Sequence, residues 1–316
     1  MLVSILIPCY NAERWVAQAI ESALAQTWSE KEIIVVDDGS TDQSLEIIKR
    51  FREQIRWETG PNRGGNAARN RLLELARGEW LQYLDADDYL LPEKVANQMQ
   101  FLAADPETDV VFGPVTVEHW SEHETRREML PIPEPHDLWV LLARWYLPQT
   151  GASLWRKQAV IDVGGWKPDQ PCCQEHELYL RLLTAAKRFT FCPHNGTVYR
   201  QWSEQTVCKR DRSEVRRRRM DIEARAEQFL RERGQLTRDR LWAINQTRFE
   251  MARSAWQNDH AAAVRIMEVV RRSQPDFQPG GDAAPPRYWM IFCTLGFRMA
   301  ETLADWHRLL RSSKSA

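Results

Sequence analysis

The chain has 316 residues, enough for one large or two modest domains with a buried core. Its formal net charge at pH 7 is −1, so the chain as a whole lacks the basic excess of a nucleic-acid-binding protein. No apolar run reaches the roughly 18 residues of a membrane-spanning helix, and the N-terminal stretch is predicted to be a strand instead of a signal peptide. The six cysteines lack metal-ligand spacing and are expected to be reduced thiols of a cytoplasmic protein.

Short apolar strands and amphipathic helices alternate over the first 90 residues. Strands are predicted at 3–7, 32–36, 55–58 and 80–84. Pro8 is expected to end the first strand, and Asn11 to cap the helix that follows. Ser40 and Gln43 resemble a capping box for the second helix. This alternation predicts a doubly wound, mostly parallel α/β sheet, in which ligands bind outside the carboxyl ends of the strands.

Polar clusters follow three of these strands, where such a sheet binds ligands. They are Pro8-Cys9-Tyr10-Asn11, Asp37-Asp38 and Asp85-Ala86-Asp87-Asp88. The three aspartates of the last cluster repel one another, and each resists losing its water. A hard divalent cation such as Mg²⁺ or Mn²⁺, which prefers oxygen ligands, would relieve that repulsion. A solvated acidic turn before a helix N-terminus is the alternative.

The middle of the chain is less regular. A helix is predicted at 92–104, a strand at 110–117, and a charged loop or flap at 118–135. Shorter elements follow: helices at 138–146, 157–163 and 177–186, and strands at 151–155, 190–192 and 197–199.

The composition changes after about Trp202. The stretch 210–240 is strongly basic and helical, and helices continue to Ser273 with a turn at Asn258-Asp259. A break rich in Pro and Gly precedes a last amphipathic helix at 287–310. A domain boundary is therefore expected near residue 205, with an α/β domain over 1–205 and a helical region over 206–316.

Five segments together resemble glycosyltransferase family 2, the inverting enzymes with a nucleotide-sugar-binding GT-A fold. In chain order they are Ile5 to Asn11, Val35 to Asp42, Asn62 to Asn70, Asp85 to Asp88, and Gln174 to Leu182. The ordered set is specific, whereas each motif alone is only suggestive. The resemblance covers about 1–205 and implies a donor half over about 1–117 and an acceptor half over about 118–205.

One position departs from the family's usual motif. Where the family commonly has Glu-Asp, this chain has Gln174-Glu175. Glu175 takes the place usually assigned to the catalytic base, so the carboxylate is kept but lies one methylene further from the backbone.

The resemblance implies transfer of a sugar from a nucleoside diphosphate, expected to be UDP, to a hydroxyl of a glycan, glycolipid or surface polysaccharide precursor. A divalent metal ion, Mg²⁺ or Mn²⁺, would stabilise the departing diphosphate, and Glu175 would take the proton of the acceptor hydroxyl. Asp87 is the first candidate for a metal ligand and Asp88 the second. Capping of the next helix is the alternative role of Asp88.

The other candidate site residues would bind the donor. They are Pro8, Tyr10, Asn11, Asp38, Arg69, Asp85, Arg200 and Trp202. Asp38 would accept hydrogen bonds from the base or ribose, Asp85 would contact ribose or a metal-bound water, and Arg69 would reach the diphosphate or the base.

Pro8 and Tyr10 would pack around the base, Arg200 would pair with phosphate, and Trp202 would stack on a sugar. Each has a structural alternative. Pro8 and Tyr10 could belong to the core, and Asp38 could satisfy the amides of a turn. Arg69 could be a solvated residue on a helix face, and Arg200 and Trp202 could form an ordinary strand end with an exposed arginine.

Two other functions stay open at this point. One is a non-catalytic relative that binds sugar nucleotides or acts as a scaffold, which the Gln174-Glu175 departure keeps open. The other is a nucleotidyltransferase, which would normally have a Gly-rich phosphate loop after the first strand. The last helix mixes aromatic and basic residues, so it is expected either to lie on the inner face of the membrane or to pack against protein, including a second subunit.

Overall fold

The computed structural model describes residues 1–121, 124–202 and 211–312. The chain divides into two compact units, Met1–Arg218 and Arg219–Ala316. The boundary predicted near residue 205 lies outside the described residues and stays a prediction. Of the six cysteines, Cys208 also lies outside them, and the five described ones are free thiols.

The first unit contains eleven strands in the described residues. They are β1 (Val3–Cys9), β2 (Lys31–Asp37), β3 (Arg56–Thr59), β4 (Trp80–Tyr83), β5 (Tyr89–Leu90), β6 (Val110–Phe112), β7 (Val115–Trp120), β8 (Thr125–Leu130), β9 (Leu154–Arg156), β10 (Phe189–Phe191) and β11 (Thr197–Gln201). Seven of them form the main sheet, in the order β10-β6-β9-β4-β1-β2-β3. All neighbours run parallel except β9, which is antiparallel to β4 and β6. The predicted α/β class with a mostly parallel sheet is confirmed.

In the described residues of the first unit, seven helices connect these strands. They are α1 (Val16–Leu24), α2 (Ser44–Arg50), α3 (Gly65–Leu75), α4 (Lys94–Ala104), α5 (Leu138–Ala143), α6 (Lys157–Asp162) and α7 (Gln174–Thr184). The β-branched runs of β1 and β2 are buried on both faces, as a covered parallel sheet requires. The chain passes from β1 to β2 on one side and returns to β4 on the other side of β1. The carboxyl ends of β1 and β4 therefore border the crevice of the topological switch point.

The first strand continues through Pro8 to Cys9, so the prediction that Pro8 ends it was wrong. Pro8 has no N–H to donate, and its backbone faces the β4 side of the strand, like that of Leu6. The pairing of β4 with β1 ends at Tyr83, so no strand partner requires that missing donor.

The two predicted helix caps are also wrong. The N-caps of α1 and α2 are Trp15 and Gln43, and neither helix has a side-chain cap. Asn11 and Ser40 bond to each other's loops instead, because the β1–α1 and β2–α2 loops lie side by side at the same edge of the sheet.

The region 110–135 differs from its prediction. The expected single strand is divided at Gly113-Pro114 into β6 and β7, which belong to different sheets. The expected charged loop forms an antiparallel hairpin of β7 with β8. Strand β8 is exposed and charged because it is the edge of the second sheet, of order β5-β11-β7-β8, and charges protect such an edge from further pairing.

The second unit is helical. Its helices are α8 (Arg212–Glu232, which begins in the first unit), α9 (Arg238–Trp256), α10 (His260–Ser273) and α11 (Pro286–Ser312). They enclose a core of their own around Phe249, Ile266 and Phe297. Gly296 interrupts α11 with φ 81°, so the predicted last helix is two helical segments. No described helix has both the length and the apolar character to cross a membrane.

Candidate active site

The candidate site lies at the carboxyl ends of β1, β2 and β4. Three further segments complete it: the 60–64 loop with α3, the N-terminus of α7, and the end of β11.

The loop after β1 is held by the loop after β2. The Oδ1 atom of Asn11 accepts a hydrogen bond from the Thr41 N–H at 2.8 Å, and the Asn11 N–H donates to Ser40 Oγ at 2.9 Å. Asn11 has φ 47°, a left-handed conformation that asparagine tolerates. Tyr10 is 51 % exposed, so a core role is excluded for it, while Pro8 is half-buried in β1.

Asp38 is nearly buried and organises the loop before α3. Its two carboxylate oxygens accept hydrogen bonds from the N–H groups of Arg63 and Gly64, each at 2.8 Å. Asp37 accepts from Thr59 Oγ1 at 2.6 Å. Asp38 therefore makes the contacts of its alternative role, in which it satisfies the amides of a turn. Its predicted contact with base or ribose stays a prediction.

Arg69 lies at the centre of the site and is only 8 % exposed. Its Nη2 donates to Asp85 Oδ1 at 2.7 Å, and its Nη1 donates to Gln174 Oε1 at 2.7 Å. Burial alone would lower the pKa of Arg69, but the carboxylates of Asp85 and Glu175 outweigh it and raise that pKa. The alternative of a solvated face residue is excluded, because this guanidinium joins α3 to the aspartate cluster and to α7.

Asp87 and Asp88 differ from Asp85 in their surroundings. Burial, together with the charge of Asp85, raises the pKa of Asp87, whose Oδ2 accepts a hydrogen bond from Trp202 Nε1 at 3.0 Å. Burial and the charges of the other two aspartates raise the pKa of Asp88 well above its usual value. Asp88 Oδ1 accepts from the Arg200 N–H at 2.8 Å, and α4 has no side-chain cap, so Asp88 is not the predicted cap.

Arg200 is buried and its guanidinium is fully engaged. It lies over the rings of Trp15 and Tyr89, each centroid 4.5 Å away. Its Nη1 donates to the Asp87 carbonyl at 2.8 Å, and its Nε donates to Glu118 Oε1 at 3.3 Å. The structure therefore places Arg200 beneath the aspartate cluster as a support for it. The predicted pairing of Arg200 with phosphate stays a prediction.

Trp202 is partly exposed beside Asp87 and Trp15, with its ring centroid 5.9 Å from that of Trp15. An exposed aromatic face next to the aspartate cluster is available to a bound ligand.

Glu175 lies in the first turn of α7 with 26 % of its side chain exposed. Burial would raise its pKa, but His176 and Arg69 outweigh burial and lower it. His176 Nδ1 lies 3.5 Å from Glu175 Oε1, and its ring stacks on Trp145 at 3.8 Å. Glu175 is therefore held as a carboxylate, the form that accepts a proton.

Four contributors to the site were not predicted. Gln174, Glu118, Gln18 and Trp145 hold Arg69, Arg200 or His176 in place. One signal existed for Glu118, since it is the acid that follows the apolar residues of β7. Gln18 and Trp145 carry no local signal, because their partners are far away in the chain.

The donor atoms of the cluster fit a divalent cation. Asp85 and Asp87 are only partly buried, and both offer hard carboxylate oxygens. Across the described ranges no group of three or more His, Cys, Asp or Glu side chains is arranged to hold a metal. Mg²⁺ commonly binds through one or two protein carboxylates and completes its shell with substrate phosphates and waters. The pair therefore fits an ion that arrives with, or is completed by, a nucleotide.

This fold is that of a GT-A protein, and an acidic cluster lies at the carboxyl edge of its sheet. Residues 4–163 match the sequence profile of Glycosyl transferase family 2. The chain belongs to that family, and the predicted family is confirmed.

Curated relatives are similar over part of the chain. The Escherichia coli protein named UDP-Glc:alpha-D-GlcNAc-diphosphoundecaprenol beta-1,3-glucosyltransferase WfaP is 39 % identical over 113 residues, which are 35 % of this chain and 43 % of that protein. An Escherichia coli chondroitin synthase is 39 % identical over 97 residues, 30 % of this chain and 14 % of that protein. The matched segments span less than half the length of these relatives.

A solved structure extends the similarity in fold to nearly the whole chain. Staphylococcus aureus TarS residues 1–349, in complex with UDP-GlcNAc, has a TM-score of 0.63 and covers 98 % of this chain and 92 % of its own. The two sequences are 15 % identical, so the comparison concerns the fold alone.

Proposed function

We propose that this protein is an inverting glycosyltransferase that moves a sugar from a UDP-sugar to a hydroxyl of a lipid-linked or polysaccharide acceptor. The observation that carries the proposal is the placement of Arg69, which bonds to Asp85 after β4 and to Gln174 of α7, the neighbour of Glu175 in the chain. A transferase needs a donor-side acid cluster and a separate acceptor-side base at one edge of the sheet, and this arrangement supports the assignment of the aspartate cluster and Glu175 to those two roles.

Glu175 is the proposed general base. It is a carboxylate with a lowered pKa, it is partly exposed, and it belongs to a different element from the aspartate cluster. As the acceptor oxygen attacks the anomeric carbon, the hydroxyl proton passes to Glu175, and the diphosphate leaves from the opposite side. One displacement of this kind inverts the anomeric centre.

Asp87, with Asp85, would hold the divalent cation. When bound, that ion would supply the positive charge that stabilises the departing diphosphate. Support for the site comes from the two partly buried carboxylates themselves, and from the raised pKa of Asp87, which reflects burial and repulsion by Asp85. Asp88 is a weaker candidate, since it is buried and bonded to the backbone of β11.

UDP and a lipid-linked acceptor are supported by the relatives. The names of WfaP and of the TarS complex both contain a UDP-sugar, and the WfaP name contains a diphosphoundecaprenol acceptor. A lipid-linked acceptor would place the reaction at the inner face of the membrane, with the protein bound there peripherally.

The test is incubation of the purified protein with a panel of nucleotide sugars, with Mn²⁺ or Mg²⁺, with and without lipid-linked acceptors. We expect UDP release from one UDP-sugar, faster with the correct acceptor, and a product of inverted anomeric configuration by NMR. Pyrophosphate release from a nucleoside triphosphate would instead identify a nucleotidyltransferase. Donor binding without any turnover across the panel would indicate a non-catalytic relative.

A further inference from the structure

Gln174 bonds to Arg69, the guanidinium that also pairs with Asp85 of the aspartate cluster. Its Oε1 accepts a hydrogen bond from Arg69 Nη1 at 2.7 Å, while Arg69 Nη2 donates to Asp85 Oδ1 at 2.7 Å. Asn66 Oδ1 accepts a third, longer bond from Nη1 at 3.2 Å. The guanidinium is therefore fixed from both sides in a nearly buried position.

The positive charge of Arg69 interacts with more than one carboxylate. One guanidinium charge acts on two carboxylates, Asp85 and Glu175. Within the described part of the chain, the charged or titratable groups that act on Glu175 include Arg69 from α3, with His176 and Tyr179 from its own helix. Since Gln174 is neutral, it can hold Arg69 without competing for that charge.

We propose that Gln174 is a positioning residue, whose neutral amide oxygen holds Arg69 where its charge is shared between Asp85 and Glu175. The inference rests on the proposed function, in which Glu175 is the base. It concerns the residue at which this chain departs from the motif it resembles. Gln174, which departs from the motif, and Glu175, with its longer side chain, are adjacent residues in the first turn of α7.

Replacing Gln174 by Glu tests directly whether the side chain at this position must be neutral. In the place of the amide, the new carboxylate would lie within hydrogen-bond distance of Arg69 and take a larger share of its charge. Glu175 would then be less stabilised as an anion and would bind its proton at a higher pH. A general base works only when deprotonated, so the acidic limb of the kcat profile should move up by about one pH unit.

The experiment compares kcat against pH at saturating donor for the wild type, Gln174→Glu and a matched control, Gln100→Glu. The control makes the same chemical change at an exposed position of α4. We expect the limb to shift in Gln174→Glu and not in Gln100→Glu. Circular dichroism and thermal melting would show whether each variant is folded.

A second measurement does not depend on turnover. The carboxyl ¹³C resonance that disappears in Glu175→Gln belongs to Glu175, and it can be titrated in the free protein. We expect its midpoint to rise in folded Gln174→Glu. An unchanged Glu175 midpoint in that variant, or an equal shift in Gln100→Glu, would overturn the inference. If the wild type showed no transfer at all, the proposed function would fail while this titration still decided the role of Gln174.

Discussion

Two buried arginines contact the aspartate cluster, and their surroundings differ. Arg69 is bound by polar side chains that come from the site itself. Arg200 is enclosed by the rings of Trp15 and Tyr89 and by Glu118. We therefore expect Arg69 to influence the chemistry, and Arg200 to keep the Asp87 backbone in place.

Glu175→Gln should reduce kcat by about 10²–10⁴-fold, the usual cost of losing a general base. Donor affinity, measured by calorimetry, should barely change, since Glu175 lies on α7 and the proposed donor ligands lie on other elements. Glu175→Asp should recover part of the rate. If donor binding were lost while turnover stayed high, Glu175 would belong to the donor site and the base would be another residue.

Asp87→Ala should remove both transfer and the metal dependence of donor binding. A metal ion contributes several kcal/mol to charge stabilisation, so we expect a loss of about 10³-fold in kcat/KM. The control is Asp221→Ala, an exposed aspartate of α8, which should leave the rate unchanged. Full activity of Asp87→Ala, or wild-type activity that is equal in excess chelator, would remove the metal from the mechanism.

At the scale of elements, the small second sheet supports the site through one buried acid. Glu118 of β7 accepts hydrogen bonds from Trp120 Nε1 and Arg127 Nε, each at 2.7 Å, and from Tyr89 and Arg200. Burial would raise the pKa of Glu118, but these hydrogen bonds and the charge of Arg127 outweigh it and lower that pKa. This residue therefore joins β5, β7, β8 and β11.

Glu118→Gln should lower the free energy of unfolding at pH 7 by about 3 kcal/mol, since it breaks a buried ion pair. The folded-state pKa is lowered, so the stabilisation by Glu118 is present above the unfolded pKa and is lost as the pH falls through the folded pKa. Urea unfolding at pH 7 and near pH 4 should therefore show a smaller difference between variant and wild type in acid. Glu128→Gln, on the exposed strand β8, is the control and should cost no more than about 0.5 kcal/mol. A penalty that is equal at both pH values would contradict the assigned ion pair.

Helix α11 is the other element with an expected effect on function, because one of its sides is exposed and apolar. Its core side includes Tyr288 and Phe297, while a set of large apolar residues stays exposed. The exposed residues are Trp289, Met290, Leu295, Met299, Leu303 and Trp306, the last with 66 % exposure. Arg287 and Arg298 are exposed on the same helix, whereas its Glu301 is buried. Aromatic and apolar residues with basic neighbours are the composition of a helix that lies on an anionic membrane.

We expect the protein to float with anionic liposomes, and Trp289→Ser with Trp306→Ser to lower the bound fraction severalfold. Point variants are preferable to deletion of α11, because the helix also supplies core residues. Ile161→Ser, at an exposed position of α6, is the control. If wild type and double variant floated equally, or neither floated, the exposed side of α11 would not bind lipid. A concentration-dependent mass that the double variant abolishes would then identify it as a contact between two copies.

At the scale of the whole molecule, the chain has two compact units with separate cores. One core surrounds β1 and β2, and the other surrounds Phe249. The rings of Phe277, Phe292 and Phe297 lie within 6.3 Å of the Phe249 ring.

Phe249→Ala should destabilise the second unit by about 3–5 kcal/mol, the usual cost of such a cavity. Hydrogen exchange should then increase within 219–316, while the protection of β1, β2 and β4 stays unchanged. Leu72→Ala, in the buried side of α3, should produce the opposite pattern. An equal loss of protection in both units after either change would show that they unfold as one.

The sequence by itself determined the class of fold, the family and the places where polar clusters follow strands. Apolar periodicity is a local property, and a strand or helix of this kind needs only the pattern of its own residues. The carboxyl-end rule then placed Asp38 and Asp85 near one edge without any knowledge of their partners, whereas Glu175 was indicated only by the family resemblance.

Only the tertiary structure decided what surrounds each of these residues. Arg69 and Gln174 are 105 positions apart, and Arg200 and Asp87 are 113 apart, so no local pattern indicates either contact. The same reason explains the wrong cap assignments and the hairpin at 115–130, where pairing with a distant strand outweighed local preference. An arginine or aspartate has the same intrinsic chemistry at any position, and the burial and charges supplied by distant elements decide whether it supports the site or takes part in the reaction.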